Sequence, residues 1–168
     1  MFIRSERLFL RPAWPEECPE LDGLLLGDAQ ACGAPQVPSR HPRFVITVPD
    51  QRGADVIGVI GLIDREGATE LAVWIAPDWC NQGFATEAAR ATLTIARTLG
   101  HCRLVSNHYA DSPATARVLA KLGFLPTGDV RMRHSPVRHR DELAQVHVLD
   151  LCPTASDPVD PEFMRHAA

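Results

Sequence analysis

The sequence contains no hydrophobic run approaching the ~20 apolar residues that a membrane-spanning helix requires. Residues 1–11 mix charged with apolar side chains, which differs from the continuous apolar segment of a secretory signal peptide. We therefore expect a cytoplasmic protein that does not bind or enter a membrane.

Cysteine is too scattered to form a recognisable framework. The five cysteines are an odd number, make no Cys-x-x-Cys pair and have no metal-ligand spacing. We expect neither a disulfide nor a structural zinc site, and no metal cofactor. The five are Cys18, Cys32, Cys80, Cys102 and Cys152.

The sequence has no excess of positive charge, since 17 Lys and Arg stand against 21 Asp and Glu, a formal net charge of −4. A general electrostatic attraction to nucleic acid is therefore not expected. An acidic surface suits a cationic substrate, but mildly acidic domains are also common for reasons of solubility alone.

The length of 168 residues fits one domain, and 45% hydrophobic residues provide an ordinary core. There are no internal repeats. We expect one domain over residues 1–151. Residues 152–168, which contain three prolines and several acidic residues, are expected to form a loose tail or an arm that packs on a partner.

Hydrophobic periodicity predicts alternating strands and helices. Two helices are predicted where apolar residues recur at spacings of three and four, over residues 84–99 and 112–122, with Gly100 and Gly123 at their ends. A short helix is a candidate over residues 16–26. Strands are predicted over residues 3–12, 44–48, 56–63, 71–76, 103–108, 124–134 and 143–151, and the run 71–76 reads as buried on both faces.

The turn between the strand 71–76 and the helix 84–99 is the most informative junction. Gly83 and Ala85 are small, so an anion can approach the first backbone N–H groups of the helix closely. An ordinary tight turn remains the alternative. A Walker loop is excluded because no Gly-Lys-Ser/Thr follows, and a dinucleotide fingerprint because Gly-x-Gly-x-x-Gly is absent.

Three segments resemble one family. Residues 70–88, ELAVWIAPDWCNQGFATEA, resemble the acetyl-CoA motif of the GNAT superfamily, with the ribosomal-protein-serine/alanine (Rim-type) N-acetyltransferases as the nearest branch. Residues 111–124, DSPATARVLAKLGF, are similar to the second signature helix of that family, and residues 3–12 to its first strand. The resemblance covers roughly residues 3–151.

The resemblance implies an α/β (α+β) GNAT fold. Its central sheet is mixed and mostly antiparallel, with about seven strands, a central parallel pair that splays apart, and flanking helices. Acetyl-CoA is the implied co-substrate, with its pantetheine arm between the splayed strands. The implied cofactor-binding residues are Trp74, Ile75, Ala76, Gln82, Gly83, Phe84, Ala85, Thr86 and Ser112.

Direct transfer to an amine needs a base and a proton donor for the departing sulfur. The resemblance implies Glu70 as the base and Thr115 as the donor. A solvated strand-edge glutamate and a helix-surface hydroxyl are the respective alternatives, and His108 is an alternative base. Cys80 and Cys102 have no recognisable His and acid partners, so a cysteine nucleophile is not favoured.

Some positions depart from the family pattern. Cys80, Asn81 and Ser112 differ from the usual residues, and the tyrosine acid of other branches is replaced by Leu119. The predicted function is transfer of acetyl from acetyl-CoA to a primary amine of a protein or peptide N-terminus or a small molecule. A CoA-binding regulatory module is the alternative.

The acceptor itself is not specified by the sequence. Specificity is expected to come from residues 13–43 and from the loop around residues 130–142. Because the last two predicted strands lie at the end of the sheet, an edge-to-edge or strand-exchanged homodimer is a further expectation.

Overall fold

The computed structural model describes residues 2–17, 21, 24–25, 41–50, 53–110, 112–135 and 140–152. These residues form eight β-strands and two α-helices that are described from end to end. The strands are β1 (Ile3–Arg4), β2 (Phe9–Pro12), β3 (Arg43–Asp50), β4 (Gly53–Arg65), β5 (Ala68–Ile75), β6 (Arg103–Tyr109), β7 (Leu125–Ser135) and β8 (Arg140–Asp150); the helices are α1 (Phe84–Thr98) and α2 (Pro113–Leu122).

All eight strands join one open sheet in the order β1-β2-β3-β4-β5-β6-β8-β7. Every neighbouring pair is antiparallel except β5 and β6, which run parallel. A parallel pair needs a long crossover, and α1 supplies it between β5 and β6. The predicted mixed, mostly antiparallel α/β sheet with a central parallel pair is therefore confirmed.

The predicted single strand over residues 3–12 is in fact two. A turn interrupts it, in which the Ser5 N–H donates to the Leu8 carbonyl oxygen at 3.0 Å. β1 and β2 then pair antiparallel, with Ile3 opposite Leu10. The described part of the chain has eight strands instead of about seven for this reason.

The two long helices agree with the periodicity. Gly100 and Gly123 follow α1 and α2 with φ of 85° and 86°, the left-handed conformation that glycine adopts without steric cost. Of the third candidate, residues 16–26, the structure describes Leu21, Leu24 and Leu25 as helical, and most of the remainder lies outside the described residues.

The core lies between α1 and the central strands. Ala88, Ala89 and Ala96 of α1 are fully buried, so their small side chains allow the helix to approach the sheet closely. Full burial of a leucine or isoleucine side chain contributes about 1.5–3 kcal/mol. The sheet supplies several such side chains, namely Leu10, Ile46, Ile57, Ile60, Leu62, Leu71 and Leu104.

The expectation that the chain has no disulfide is wrong, because Cys102 and Cys152 are joined by one. Cys102 immediately precedes β6, and Cys152 lies two residues after β8 ends at Asp150. The antiparallel register places Arg103 opposite Asp150, which brings the two cysteines next to each other. The two Cα atoms are therefore only 4.7 Å apart although the residues are 50 positions apart in sequence. The spacing of the cysteines in the sequence does not reveal this strand register, so it could not predict the disulfide.

The predicted tail begins at this disulfide, and residues 153–168 lie outside the described residues. None of the described helices has both the length and the apolar character needed to cross a membrane.

Candidate active site

The parallel pair β5–β6 is open along most of its length. Within the described residues the two strands share one paired position, Glu70 opposite Val105. Immediately beyond it, the Ser106 hydroxyl donates to the Leu71 carbonyl oxygen at 2.8 Å. This side-chain bond replaces a backbone ladder bond and marks the closed end of the split between the strands.

The alternation of hydrogen bonds shows which groups of β5 face the split. Ala76 N–H donates to the Ile57 carbonyl oxygen of β4 at 2.9 Å, so alternate residues of β5 bond to β4. The residues between them, Leu71, Val73 and Ile75, direct their backbone groups toward β6. Val73 and Ile75 thus present N–H and C=O groups to the opening instead of to a strand.

A cavity of about 740 Å³ occupies this opening, a size that suits an extended small-molecule ligand. It extends from Glu70 to the start of α1 and is bounded on the other side by β6, α2 and the end of β7. Most of the site residues predicted from the sequence line it: Glu70, Trp74, Ile75, Gly83, Phe84, Ala85, Thr86, Ser112 and Thr115. Ala76 and Gln82 are not among the described lining residues.

The cavity also corrects the prediction that residues 71–76 are buried on both faces. Leu71 is buried, but Ala72, Val73, Trp74 and Ile75 are only half-buried. The run is apolar because these residues line the cavity, which differs from the two-sided packing of a central strand.

The start of α1 has the geometry of an anion-binding turn. Gly83 precedes the helix with φ of 84°, and no described side chain caps the first backbone N–H groups. The first helical bond runs from Glu87 N–H to the Gly83 carbonyl oxygen, so the N–H groups of Ala85 and Thr86 have no partner within the helix. They border the cavity, where the helix dipole favours negative charge.

Two departures from the family pattern have local structural reasons. Asn81 has φ of 62°, a left-handed conformation that asparagine tolerates better than most residues. The Cys80 thiol lies 3.5 Å from the Ala76 carbonyl oxygen and 3.6 Å from that of Ile75, so it acts as a weak donor to the turn. Cys102 is in the disulfide, which leaves it unable to act as a nucleophile.

Glu70 lies at the closed end of the cavity, with only 9% of its side chain exposed. The nearest cation is Arg65, whose Nε is 3.8 Å from Glu70 Oε2. Arg133 lines the same end, and both of its terminal nitrogens donate to Glu66, at 2.6 and 3.1 Å. The hydrogen bond to Glu66 raises the pKa of Arg133 further, with smaller contributions from Glu70 and Tyr109.

Tyr109, the only tyrosine of the chain, also lines the cavity at the end of β6. Its hydroxyl donates to the His134 carbonyl oxygen at 2.8 Å, and burial raises the pKa of the phenol above its ordinary value. The phenol is therefore a protonated donor near Glu70 at neutral pH. Sequence reasoning missed it, since the family places its tyrosine acid on the following helix.

Ser112 and Thr115 form a hydroxyl pair at the start of α2, with their oxygens 2.8 Å apart. Both line the cavity, Ser112 as the residue just before the helix and Thr115 within its first turn. A proton that leaves the Thr115 hydroxyl can be replaced from Ser112 through this contact.

His108 does not belong to the described lining of the cavity. Its ring is buried against His147, with the ring centroids 4.8 Å apart. Burial, together with the neighbouring His147, lowers the pKa of His108 below its ordinary value. The alternative base proposed from the sequence therefore lies away from the opening that Glu70 faces.

Comparisons with known proteins identify the fold. A family model described as the acetyltransferase (GNAT) domain matches residues 29–125, more than half of the chain. No curated protein sequence matches the chain.

Solved structures resemble almost the whole domain. A GNAT-family acetyltransferase from Bacillus anthracis has a TM-score of 0.63 at 18% identity, over 90% of this chain and 99% of that chain. The ribosomal-protein-S5-alanine acetyltransferase from Vibrio fischeri has 0.65 at 15%, over 94% and 100%. A spermidine N-acetyltransferase chimera from Vibrio cholerae has 0.65 at 16%, over 87% and 97%. At these identities the likeness concerns the fold, and with the family match it places this chain in the GNAT acetyltransferase family.

Proposed function

We propose that the chain transfers an acetyl group from acetyl-CoA to a primary amine, by direct transfer within the cavity between β5 and β6. The observation that carries the proposal is the continuous cavity that joins a buried carboxylate, Glu70, to the uncapped start of α1. An acyl-CoA needs both features at opposite ends, a site for chemistry and a site for phosphates.

The split suits a pantetheine arm, because amide groups of the arm would pair with the backbone groups of Val73 and Ile75 that face it. At the other end, backbone N–H groups of Gln82, Gly83, Ala85 and Thr86 are proposed to hold the diphosphate. The remaining proposed contacts are Trp74, Ile75 and Ala76 at the acyl and pantetheine end, with Phe84 and Ser112 nearby. Acetyl-CoA supplies the activated thioester.

Glu70 is the proposed general base. It takes a proton from the ammonium of the acceptor, directly or through water, which frees the nitrogen lone pair to attack the thioester carbon. The Ile75 N–H is the proposed donor to the carbonyl oxygen as negative charge develops there. Thr115 then donates its hydroxyl proton to the sulfur as the carbon–sulfur bond breaks, and it regains a proton, through Ser112, from the nitrogen that becomes the amide. Glu70 releases the first proton to solvent.

The charges near Glu70 bear on the acceptor. Arg65 and Arg133 lie at the same end of the cavity, and Glu70 is the only carboxylate among its described lining residues. Arg133 is already paired with Glu66, so Glu70 is the one carboxylate among the described lining residues that can hold a cationic acceptor, which favours a single ammonium group over a polycation. A peptide or protein N-terminus or a small monoamine is therefore the proposed acceptor class.

The test is Glu70→Gln, followed by release of free thiol from acetyl-CoA with a panel of amines that includes N-terminal peptides, small monoamines and spermidine. We expect turnover to fall about 10²–10⁴-fold because the base is lost, with acetyl-CoA affinity unchanged. Asp150→Asn, in an exposed ion pair with Arg103, is the matched control and should keep full activity. Full activity of Glu70→Gln would rule out Glu70 as the base.

The same assay addresses the alternative of a CoA-binding module. Acetyl-CoA binding without turnover of any amine by the wild-type protein would favour the module. Thiol release that depends on an added amine would exclude it.

Assembly and location complete the proposal. We propose a Rim-type cytoplasmic enzyme that pairs as a homodimer through the edge strand β7. Four large apolar side chains are exposed on β7 and the adjacent β8, which supports an interface there: Leu125, Val130, Met132 and Leu143.

A further inference from the structure

The turn between β1 and β2 contacts the first turn of α1, although about 80 residues separate the two in sequence. Glu87 of α1 is the centre of this contact. Its Oε1 accepts hydrogen bonds from the Ser5 hydroxyl at 2.7 Å and from the Arg7 backbone N–H at 2.8 Å. Its Oε2 accepts from Arg7 Nε at 2.9 Å and lies 2.8 Å from Arg7 Nη2.

Glu87 is therefore a half-buried carboxylate with several donors. Only 15% of its side chain is exposed. Burial alone would raise the pKa of Glu87, but the hydrogen bonds from Ser5 and Arg7 outweigh it and leave that pKa below its ordinary value. A negative charge thus stands within one helical turn of the groups proposed to hold a diphosphate, and the Arg7 guanidinium compensates it.

Arg7 also contacts the anion-binding turn directly. Its Nη1 donates to the Gln82 carbonyl oxygen at 3.1 Å, and its Cζ lies 4.5 Å from the centre of the Phe84 ring. A Cβ at Gly83 would lie 3.4 Å from Arg7 Nη2, so the guanidinium rests against the outer side of the turn. Arg7 itself is not among the described residues that line the cavity.

This arrangement matters because an anion site made of backbone N–H groups works only if the carbonyl oxygens point elsewhere. Arg7 holds the Gln82 carbonyl on the side away from the cavity. With that carbonyl fixed, the N–H groups that follow it are directed toward the cavity. A guanidinium suits both tasks because its planar fork bonds a carboxylate and a carbonyl at once.

We propose that Arg7 is a positioning residue for the diphosphate of acetyl-CoA, acting through the Gln82 carbonyl and by neutralising Glu87. The inference rests on the proposed function, since it presumes that acetyl-CoA binds at this turn. It assigns to a residue of the β1–β2 turn a role in co-substrate affinity and none in the transfer step.

The test compares two ligands that share the thioester and pantetheine but differ in the phosphates, acetyl-CoA and S-acetylpantetheine. In Arg7→Ala we expect the Kd for acetyl-CoA to rise about tenfold or more, as for loss of a charged hydrogen-bonding group. The Kd for S-acetylpantetheine should stay at its wild-type value. Arg103→Ala, which breaks a similar Arg–carboxylate pair on β6 and β8, is the control and should change neither.

Two further variants separate charge from geometry. Glu87→Gln added to Arg7→Ala should recover part of the lost acetyl-CoA affinity, because the uncompensated charge is removed. Arg7→Lys keeps the charge but loses the fork, so it should weaken acetyl-CoA by less than Arg7→Ala and again spare S-acetylpantetheine. If Arg7→Ala does not fold, Arg7→Lys carries the comparison.

The outcomes are distinguishable. A wild-type protein that binds no acetyl-CoA overturns the proposed function and this inference with it. Wild-type affinity for acetyl-CoA in Arg7→Ala and Arg7→Lys overturns the inference alone. Equal weakening of both ligands points to a general loss of structure and also overturns it.

Discussion

At the scale of residues, an ion pair links β2 to the segment that follows it. Glu17 accepts two hydrogen bonds from the Arg11 guanidinium, at 2.8 and 2.7 Å, and one from the Trp14 backbone N–H at 2.9 Å. The hydrogen bonds from Arg11 and from the backbone lower the pKa of Glu17 to about 2. The folded state therefore binds a proton at this carboxylate less readily than the unfolded chain, where a glutamate has its ordinary pKa of about 4.5.

This pair should make stability depend on pH in a defined direction. A depressed folded-state pKa contributes stability that is fully present above the unfolded value and is lost as pH falls toward about 2. We expect Glu17→Gln to lower the Tm by a few degrees at pH 7, since the pair is partly exposed. The difference from wild type should shrink steadily below about pH 4.5. A difference that is the same at pH 7 and pH 3 would contradict this assignment.

Some residues of the candidate site are close in sequence, and others are brought to it only by the fold. Glu70, Trp74, Gly83 and Thr86 lie within one continuous segment whose pattern is visible in the sequence, and the cavity contains them all. Arg7 reaches the same site only through the pairing of β1 and β2 and the packing of α1. No local pattern encodes such a contact, and the same holds for the bond from Ser106 to Leu71.

At the scale of elements, the position of β5 depends on the absence of a side chain in β4. Gly58 lies opposite Ile75, and a Cβ at Gly58 would overlap the Trp74 carbonyl oxygen. The backbone of β5 is therefore close to β4 where it borders the cavity. A larger residue at Gly58 must push Trp74 and Ile75 toward the split.

We expect Gly58→Ala to lower the free energy of unfolding by about 1–3 kcal/mol, as overpacking does, and to weaken acetyl-CoA binding. Gly61→Ala on the same strand is the control. There a Cβ would approach Arg43 Cγ to 3.1 Å and the Pro42 carbonyl oxygen to 3.4 Å, contacts that need a shift of only a few tenths of an ångström. Urea unfolding and ligand titration of both variants provide the measurement, and equal stability of the two would refute the role of close β4–β5 contact.

The helices and strands were predictable where their formation depends only on the residues within the segment itself. α1 and α2 follow the periodicity of their apolar residues and end at glycines, as the sequence predicts. The break in residues 3–12 was not predictable from alternation, because it depends on the bonds between Ser5, Arg7 and Glu87, which join distant segments. The disulfide likewise depends on the register of β6 with β8.

At the scale of the whole molecule, the sheet ends in an edge strand with apolar side chains. Met132 of β7 and Leu143 of β8 are cross-strand partners, 58% and 56% exposed. Val130 lies two residues before Met132, on the same face of the strand. An unpaired edge of this kind is where a second copy of the chain can add to a sheet.

We expect the protein to be a dimer in solution, and Met132→Lys to shift it toward the monomer by placing a charge in the interface. Size-exclusion chromatography with light scattering measures the mass of each form. Val56→Lys, at an equally exposed apolar residue of β4, is the control and should remain dimeric. A wild-type monomer, or a dimer that tolerates lysine at position 132, would exclude this edge.

The single paired position between β5 and β6 has a mechanical consequence. It divides the sheet into a block of five strands and a block of three, connected by Glu70 opposite Val105, by the Ser106 bond and by the helices that pack beside them. A ligand bound between the two blocks would connect them through hydrogen bonds, as an additional strand would. The two blocks would then move relative to each other more slowly, and over a smaller range, when co-substrate is bound than when the cavity is empty.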